Sequence, residues 1–233
     1  YNGDYPPGQG GDNPDYNGDY PPGQGDSPPG NDYGDYQYKQ NPYITNGREA
    51  KPGEVPFQVA LMTPLPGGQG GMSCGGTVIS NRCVLTAGHC VYICGNGRAT
   101  LAQRVLARFG AHDLRNREKE PVKTSTDIRA HRSYKACTND FKNDIAMICF
   151  NEDIPMRMTP NGLDSIGTVC MPQSDSFQSA ITSGWGQTTQ GVKGPQSPIL
   201  KIAEVTYIDM NTCKSRLSRI PGMAQNLDDT LHI

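Results

Sequence analysis

The sequence predicts an all-β fold, a barrel or a sandwich, carried behind a low-complexity arm. Three observations predict it. Short apolar runs rich in β-branched residues recur between residues 57 and 208, and Gly, Pro, Asn and Asp separate them at modest intervals. Only Asn211 to Leu217 reads as the start of a helix. The chain's 233 residues are enough for one or two domains.

The arm comes first. Residues 1–42 contain no Cys, Leu, Val, Ile, Phe, Met or Trp and consist mainly of Tyr, Gly, Pro, Asp, Asn and Gln. A stretch with so little to bury cannot offset the entropy of ordering, so residues 1–43 are expected to be disordered. The arm also repeats, since residues 1–10 and 16–25 both read YNGDYPPGQG. Such a unit is too short and too polar for a solenoid repeat. Charge divides at the same boundary: the arm sets seven Asp against Lys39 alone, whereas residues 43–233 carry 20 Lys and Arg against 16 acidic residues. An acidic spacer on a mildly basic domain is expected, with recruitment of a basic partner as the alternative.

Beyond the arm, the strand candidates are Phe57 to Met62, Thr77 to Ile79, Val84 to Ala87, Val105 to Phe109, Ile145 to Phe150, Ala180 to Ser183 and Ile199 to Ile208. No apolar run approaches the length of a transmembrane helix, so no membrane span is expected. The whole chain carries a net charge of −2, and no nucleic-acid partner is expected. Neither an initiator Met nor a charged-then-apolar leader opens the sequence, which predicts a processed start or a fragment at this end.

All eight cysteines, at 74, 83, 90, 94, 137, 149, 170 and 213, lie beyond the arm, and none has the paired CxxC spacing of a zinc site. They predict a disulfide framework and hence a secreted, extracellular protein. Spacing alone leaves their pairing open.

Two segments carry chemistry. Leu85-Thr86-Ala87-Gly88-His89-Cys90 puts a histidine just after a strand, and Asn143-Asp144-Ile145-Ala146-Met147 puts an aspartate just before one. His112 and His131 read as structural, and Asp113 and Asp140 lie in polar loops. The two segments resemble the histidine and aspartate motifs of the chymotrypsin-like (trypsin-fold) serine proteases, the peptidase S1 family, whose histidine segment reads Thr-Ala-Ala-His-Cys. The resemblance implies a double β-barrel, with residues 44–166 forming the first barrel and 167–233 an incomplete second one whose last strand would leave an open edge. It implies His89 as general base and Asp144 as the carboxylate that holds its tautomer and stabilises the imidazolium. Protein substrates or a partner protease are implied, with no cofactor.

The family's nucleophile stands in a Gly-Asp-Ser-Gly-Gly segment, and the chain reaches Ile233 without one. Gly25-Asp26-Ser27 lies in the arm and is followed by Pro28-Pro29, where the oxyanion hole needs glycines. Ser183, beside Gly184-Trp185-Gly186, matches a structural segment. A chain without the nucleophile is expected to be inactive by itself, the N-terminal portion of a serine endopeptidase zymogen. Ile44-Thr45-Asn46-Gly47 resembles the family's mature start, so Tyr43–Ile44 is the expected activation cleavage, although Tyr43 stands where trypsin-like activation uses Arg or Lys.

The resemblance also bears on the cysteines. Cys74 and Cys90 match the pair that staples the histidine loop. Cys83 and Cys149 fall on strands that pair in this fold, and Cys94 and Cys137 fall on loops flanking one cleft, so bridges 83–149 and 94–137 are inferred. Cys170 matches a cysteine that pairs with the pro-region, and Cys213 one whose partner follows a strand such as Leu231-His232-Ile233. The family's cysteine before Gly-Trp-Gly is replaced by Ala180. Calcium-binding members have a carboxylate where this chain has Ala111, so no metal is expected. No Asn-x-Ser/Thr acceptor occurs. The alternative reading is a non-catalytic homologue of the proteases, acting as a cofactor or binding protein. The intact His89 and Asp144 favour the enzyme, and Tyr43 and the extra loop cysteines favour the homologue.

Overall fold

The computed structural model describes residues 47–67, 70–95, 97–116, 120–140, 142–160, 165–170, 178–187 and 196–219. The arm, Tyr43 and Ile44, and Leu231 to Ile233 lie outside the described residues. Within them the chain forms β1 (Arg48–Glu49), β2 (Gln58–Pro64), β3 (Gly71–Val78), β4 (Cys83–Thr86), β5 (Tyr92–Gly95), β6 (Arg98–Leu101), β7 (Val105–Phe109), β8 (Val122–Ser125), β9 (Asp127–Ala130), β10 (Ala146–Cys149), β11 (Ser179–Gly184), β12 (Lys201–Thr206) and the helix α1 (Met210–Leu217). The fold is mostly β. No helix among the described residues is long and apolar enough to cross a membrane.

Seven strands form one antiparallel sheet in the order β8-β7-β2-β3-β4-β10-β9. Its two outermost strands, β8 and β9, are separated in the chain by Thr126 alone, so the sheet must curl until its edges meet. The result is a nearly closed barrel. Ser125 pins the corner: its hydroxyl accepts from the Asp127 N–H at 3.0 Å and donates to the Cys149 carbonyl on β10 at 2.5 Å.

Alternation fills the barrel. Side chains of a strand point to opposite faces in turn, so Val105, Ala107 and Phe109 of β7 are buried, as are Val59 and Leu61 of β2, Val84 of β4 and Ile148 of β10. Phe109 meets Phe150 edge-on with ring centroids 5.6 Å apart. Gly76 makes room for this packing, because a Cβ there would stand 2.6 Å from Val84 Cγ1 and 2.9 Å from Leu61 Cδ1.

A second sheet, β1-β12-β11, packs on the outside of the barrel. Its seam buries Ala50, Val55, Ala111, Trp185, Leu200 and Ile202. Polar ties cross the seam. Trp185 Nε1 donates to the His112 carbonyl at 3.2 Å, the Leu200 N–H donates to the same carbonyl at 2.8 Å, and Ser183 Oγ donates to Gln58 Oε1 at 2.6 Å. β1 precedes the barrel in sequence yet pairs with β12, Arg48 opposite Ile202. Among the described residues β11 has one unpaired edge, and Ile181, Val205 and Tyr207 are exposed.

β7 falls where anticipated, and the other anticipated strands appear with shifted ends. Of the anticipated Thr77 to Ile79, Thr77 and Val78 are the tail of the longer β3, whose first six residues, Gly71 to Gly76, are too small and polar to read as a strand. β1, β5, β6, β8 and β9 were not anticipated: β1 has two residues, β6 is exposed throughout, and β8 (Val-Lys-Thr-Ser) and β9 (Asp-Ile-Arg-Ala) lack a continuous apolar run. α1 starts one residue before the expected Asn211, because Asp209 caps it, accepting from the Thr212 N–H at 2.9 Å and the Thr212 hydroxyl at 2.6 Å.

Candidate active site

Two neighbouring barrel strands deliver the two candidate side chains. β4 and β10 pair antiparallel, Thr86 opposite Ala146 and Cys83 opposite Cys149. Chain leaving β4 turns at Ala87 into a 3-10 helical turn, Gly88–Val91, which carries His89. Chain entering β10 passes through Asn143, whose φ of 60° lies in the left-handed region that Asn tolerates, and then Asp144. The Ile145 N–H donates to the Asn143 carbonyl at 2.8 Å and the His131 N–H to the Ile145 carbonyl at 2.9 Å, fixing this approach. Thr86 Oγ1 donates to the Gly75 carbonyl at 2.8 Å, and Thr63 Oγ1 to the Cys90 carbonyl at 2.7 Å, fixing the other.

The two side chains meet. His89 Nδ1 lies 2.7 Å from Asp144 Oδ2, and the backbone N–H of His89 donates to Asp144 Oδ1 at 2.7 Å. The Gly88 N–H also donates to this carboxylate. Burial alone would raise the Asp144 carboxyl, but the hydrogen bonds from the His89 ring and from the two backbone N–H groups outweigh it and hold it below its ordinary value. An ionised carboxylate only accepts, so Nδ1 carries the proton and, in the neutral ring, Nε2 is the basic nitrogen. Both side chains are about three-quarters buried, at 28% and 21% exposed. The arrangement suits proton abstraction by an oriented imidazole.

The other titratable candidates are spread elsewhere. His112 holds the seam through its carbonyl, and His131 Nδ1 accepts from the Ser133 N–H at 3.2 Å. Asp113 pairs with Arg115 and Asp140 with Lys135. Ser183 is engaged with Gln58. Gly25, Asp26 and Ser27 lie outside the described residues.

Three disulfides tie together the elements that carry the pair. Cys74 joins Cys90 (Cα–Cα 6.0 Å), tying β3 to the histidine turn. Cys83 joins Cys149 (4.2 Å), linking β4 to β10, and Cys94 joins Cys137 (5.7 Å), linking β5 to the loop before Asp144. Cys170 and Cys213 have no disulfide partner among the described residues. The Cys74 and Cys90 sulfurs and a His89 ring nitrogen lie within 4.8 Å of one another, but sulfurs joined in a disulfide are not the thiolates a metal would need.

Residues 44–230 match the sequence model of the family described as Trypsin. The chain belongs to the trypsin family. Among curated proteins it is similar to CLIP domain-containing serine protease B4 of Anopheles gambiae, 29% identical over 192 residues that cover 76% of this chain and 50% of that protein. The chain therefore spans about half the length of the curated relative it matches. Among solved structures it is similar to one described as "Structure of GrC", with a TM-score of 0.60 and 22% identity over 76% of this chain and 70% of the other. That likeness bears on the fold alone.

Within the trypsin family frame, two contributors to the site escaped the motif reading. The backbone N–H groups of Gly88 and His89 are unseen in a motif because every residue but proline has one. Tyr134 was the other; its ring lies against Gly88. The one visible signal was Gly88 itself, a glycine where the family motif has alanine.

Proposed function

We propose that this trypsin-family chain contributes the acid–base half of a secreted serine endopeptidase. The reading is carried by one observation, the 2.7 Å contact between His89 Nδ1 and Asp144 Oδ2 with two backbone N–H groups on the same carboxylate. His89 takes the proton of a serine hydroxyl through Nε2 and returns it to the leaving amine, and Asp144 keeps the ring oriented and stabilises the imidazolium. The serine comes from a Gly-Asp-Ser-Gly-Gly segment that the 233 residues do not contain, so these residues alone hydrolyse no peptide bond. Protein substrates follow from the family, and the disulfides fit an oxidising, extracellular setting. The arm is the pro-segment, and cleavage between Tyr43 and Ile44 starts activation; an aromatic residue before the cut calls for a chymotrypsin-like activator.

The test uses the full-length secreted protein, treated separately with chymotrypsin-like and trypsin-like proteases and then with a fluorophosphonate probe. Covalent labelling that appears after the chymotrypsin-like treatment and is abolished by His89→Ala is the expected result. Absence of labelling and of peptide hydrolysis after both treatments would overturn the enzyme reading in favour of a non-catalytic binding homologue.

A further inference from the structure

β7 turns Val105, Ala107 and Phe109 into the barrel, so Arg108 between them belongs to the outer face. Its side chain is nonetheless only 13% exposed, and that of Glu120, which meets it, 6%. Charges taken that far from water persist only when they are paired and hydrogen-bonded. Here oxygen surrounds the guanidinium. Nε donates to the Glu120 carboxylate, Nη1 to the Leu114 carbonyl at 3.0 Å, and Nη2 to the Asp113 carbonyl at 3.3 Å and to the Asn116 carbonyl. One carboxylate and three backbone carbonyls thus converge on a single positive group.

A set of backbone carbonyls joined by a carboxylate is the donor chemistry that a hard divalent cation selects. The neighbouring residues decide what fills it. Ala111 stands where calcium-binding members of the family carry a carboxylate, and it is buried in the apolar seam with Val55, Trp185 and Leu200. The Asp113 carboxylate is engaged with Arg115 at 2.6 Å. Glu120 and Arg108 therefore face each other one charge against one, and a dication brought to the same oxygens would meet the guanidinium at contact distance. The held segment also bears on the fold: the Leu114 N–H donates to the Pro198 carbonyl at 2.8 Å, and Asp113 bridges to Ile199, so the carbonyls that Arg108 grips sit on the segment that joins the second sheet to the barrel.

We infer that the Asp113, Leu114 and Asn116 carbonyls and the Glu120 carboxylate form a hard-cation cage that the Arg108 guanidinium fills as a built-in cation. The segment holds its shape without a metal, and the cage takes a calcium-type ion only when the charge of residue 108 is removed. Nothing in this depends on the reading of His89 and Asp144.

The test measures the thermal midpoint of the full-length secreted protein in EDTA and in millimolar Ca²⁺, at matched ionic strength. The wild-type midpoint is expected to be the same in both. Arg108→Ala leaves Glu120 buried without its partner, and its midpoint in EDTA should fall by about 10 °C. Ca²⁺ should then restore about 3 °C or more of that loss, with calorimetry giving a Kd of about 10⁻⁴–10⁻³ M for the ion. Arg108→Lys covers the case of an alanine variant that does not fold: it keeps the charge but loses the fork, so its midpoint should fall less and stay indifferent to Ca²⁺. A wild-type or Arg108→Lys midpoint that rises in Ca²⁺, or a folded Arg108→Ala protein that neither loses stability nor responds to the ion, would overturn the inference. So would a loss in Arg108→Ala that Ca²⁺ leaves untouched, because the oxygens would then be an arginine pocket and not a cation cage.

Discussion

Thr86 on β4 stands opposite Ala146 on β10, and this single rung sets the distance between the candidate acid–base groups. His89 follows Thr86 by three residues and Asp144 precedes Ala146 by two, so both leave the same end of one ladder. At its other end Cys83 stands opposite Cys149, and the two are bonded. A slip of one residue between these strands would turn Val84 and Ile148 out of the core and separate the pair. The bridge therefore locks the register on which the site depends.

Replacing both cysteines tests the lock. Cys83→Ala/Cys149→Ala opens a cross-link spanning 66 residues of sequence, and loss of such a bridge is expected to destabilise the fold by about 2–5 kcal/mol. Thermal unfolding should show a lower midpoint. The Nδ1 proton signal of His89 should survive at low temperature, since the β4–β10 hydrogen bonds remain.

Asp144 contributes to the acid limb of stability. Its carboxyl titrates below the ordinary value of 3.8 in the folded chain, so it contributes stability above the unfolded pKa that is lost as pH falls through the folded one. The difference in unfolding midpoint between the native chain and Asp144→Asn should stay constant above about pH 5 and shrink below about pH 4. In the activated full-length protein the same substitution is expected to lower kcat on the order of 10⁴-fold, because the amide admits the wrong imidazole tautomer.

The barrel and the contact between His89 and Asp144 were legible because both are written locally. Val105 to Phe109 alternates in a way that only a half-buried strand explains, and His89 and Asp144 sit within motifs a few residues long. What stayed hidden is non-local. β8 and β9 look like polar loop until their pairing with β7 and β10 is known, and β1 is two residues that matter only because β12 lies beside them. Tyr134 was invisible for the same reason, since nothing within its own stretch of sequence marks Gly88, 46 positions earlier, as its neighbour.

Trp185 is the chain's single tryptophan and lies in the seam between barrel and second sheet, 8% exposed. Its emission should be blue-shifted in the folded chain and move to the red when the seam opens. Trp185→Phe removes the donor to the His112 carbonyl, which still accepts from the Leu200 N–H at 2.8 Å. That carbonyl is not orphaned, so the loss should stay near the roughly 0.5–1.5 kcal/mol of one net hydrogen bond, plus the smaller ring. Denaturant titration of this variant, followed by circular dichroism, checks the figure.

Phe109 reports on the barrel instead. It is fully buried and packs edge-on against Phe150. Phe109→Ala leaves a cavity ringed by short strands that cannot collapse inward without breaking their ladders, so a loss of about 3–5 kcal/mol is expected. Phe109→Leu should recover much of it. Equal midpoints for the two variants in urea would show that the barrel repacks freely, contrary to the tight interior seen at Gly76.

Glu54 offers a titration with its sign already set. Arg48 grips its carboxylate with two nitrogens, at 2.8 and 2.5 Å, and the Lys51 N–H donates to it at 2.7 Å. The Arg48 hydrogen bonds, then the backbone one, lower its pKa from 4.5 to about 2. A depressed carboxylate stabilises the fold above its unfolded pKa and loses that contribution as pH falls toward 2. The pair is solvent-exposed, so salt screens it and its weight at neutral pH is small. Carboxyl NMR should place the Glu54 midpoint well below that of an ordinary glutamate, and Arg48→Ala should return it most of the way. The return should be incomplete, because the Lys51 N–H still donates. A full return in Arg48→Ala would mean that the turn at Lys51 opens when the guanidinium is lost, and that Arg48, one residue of β1, holds the entry of the chain onto β12.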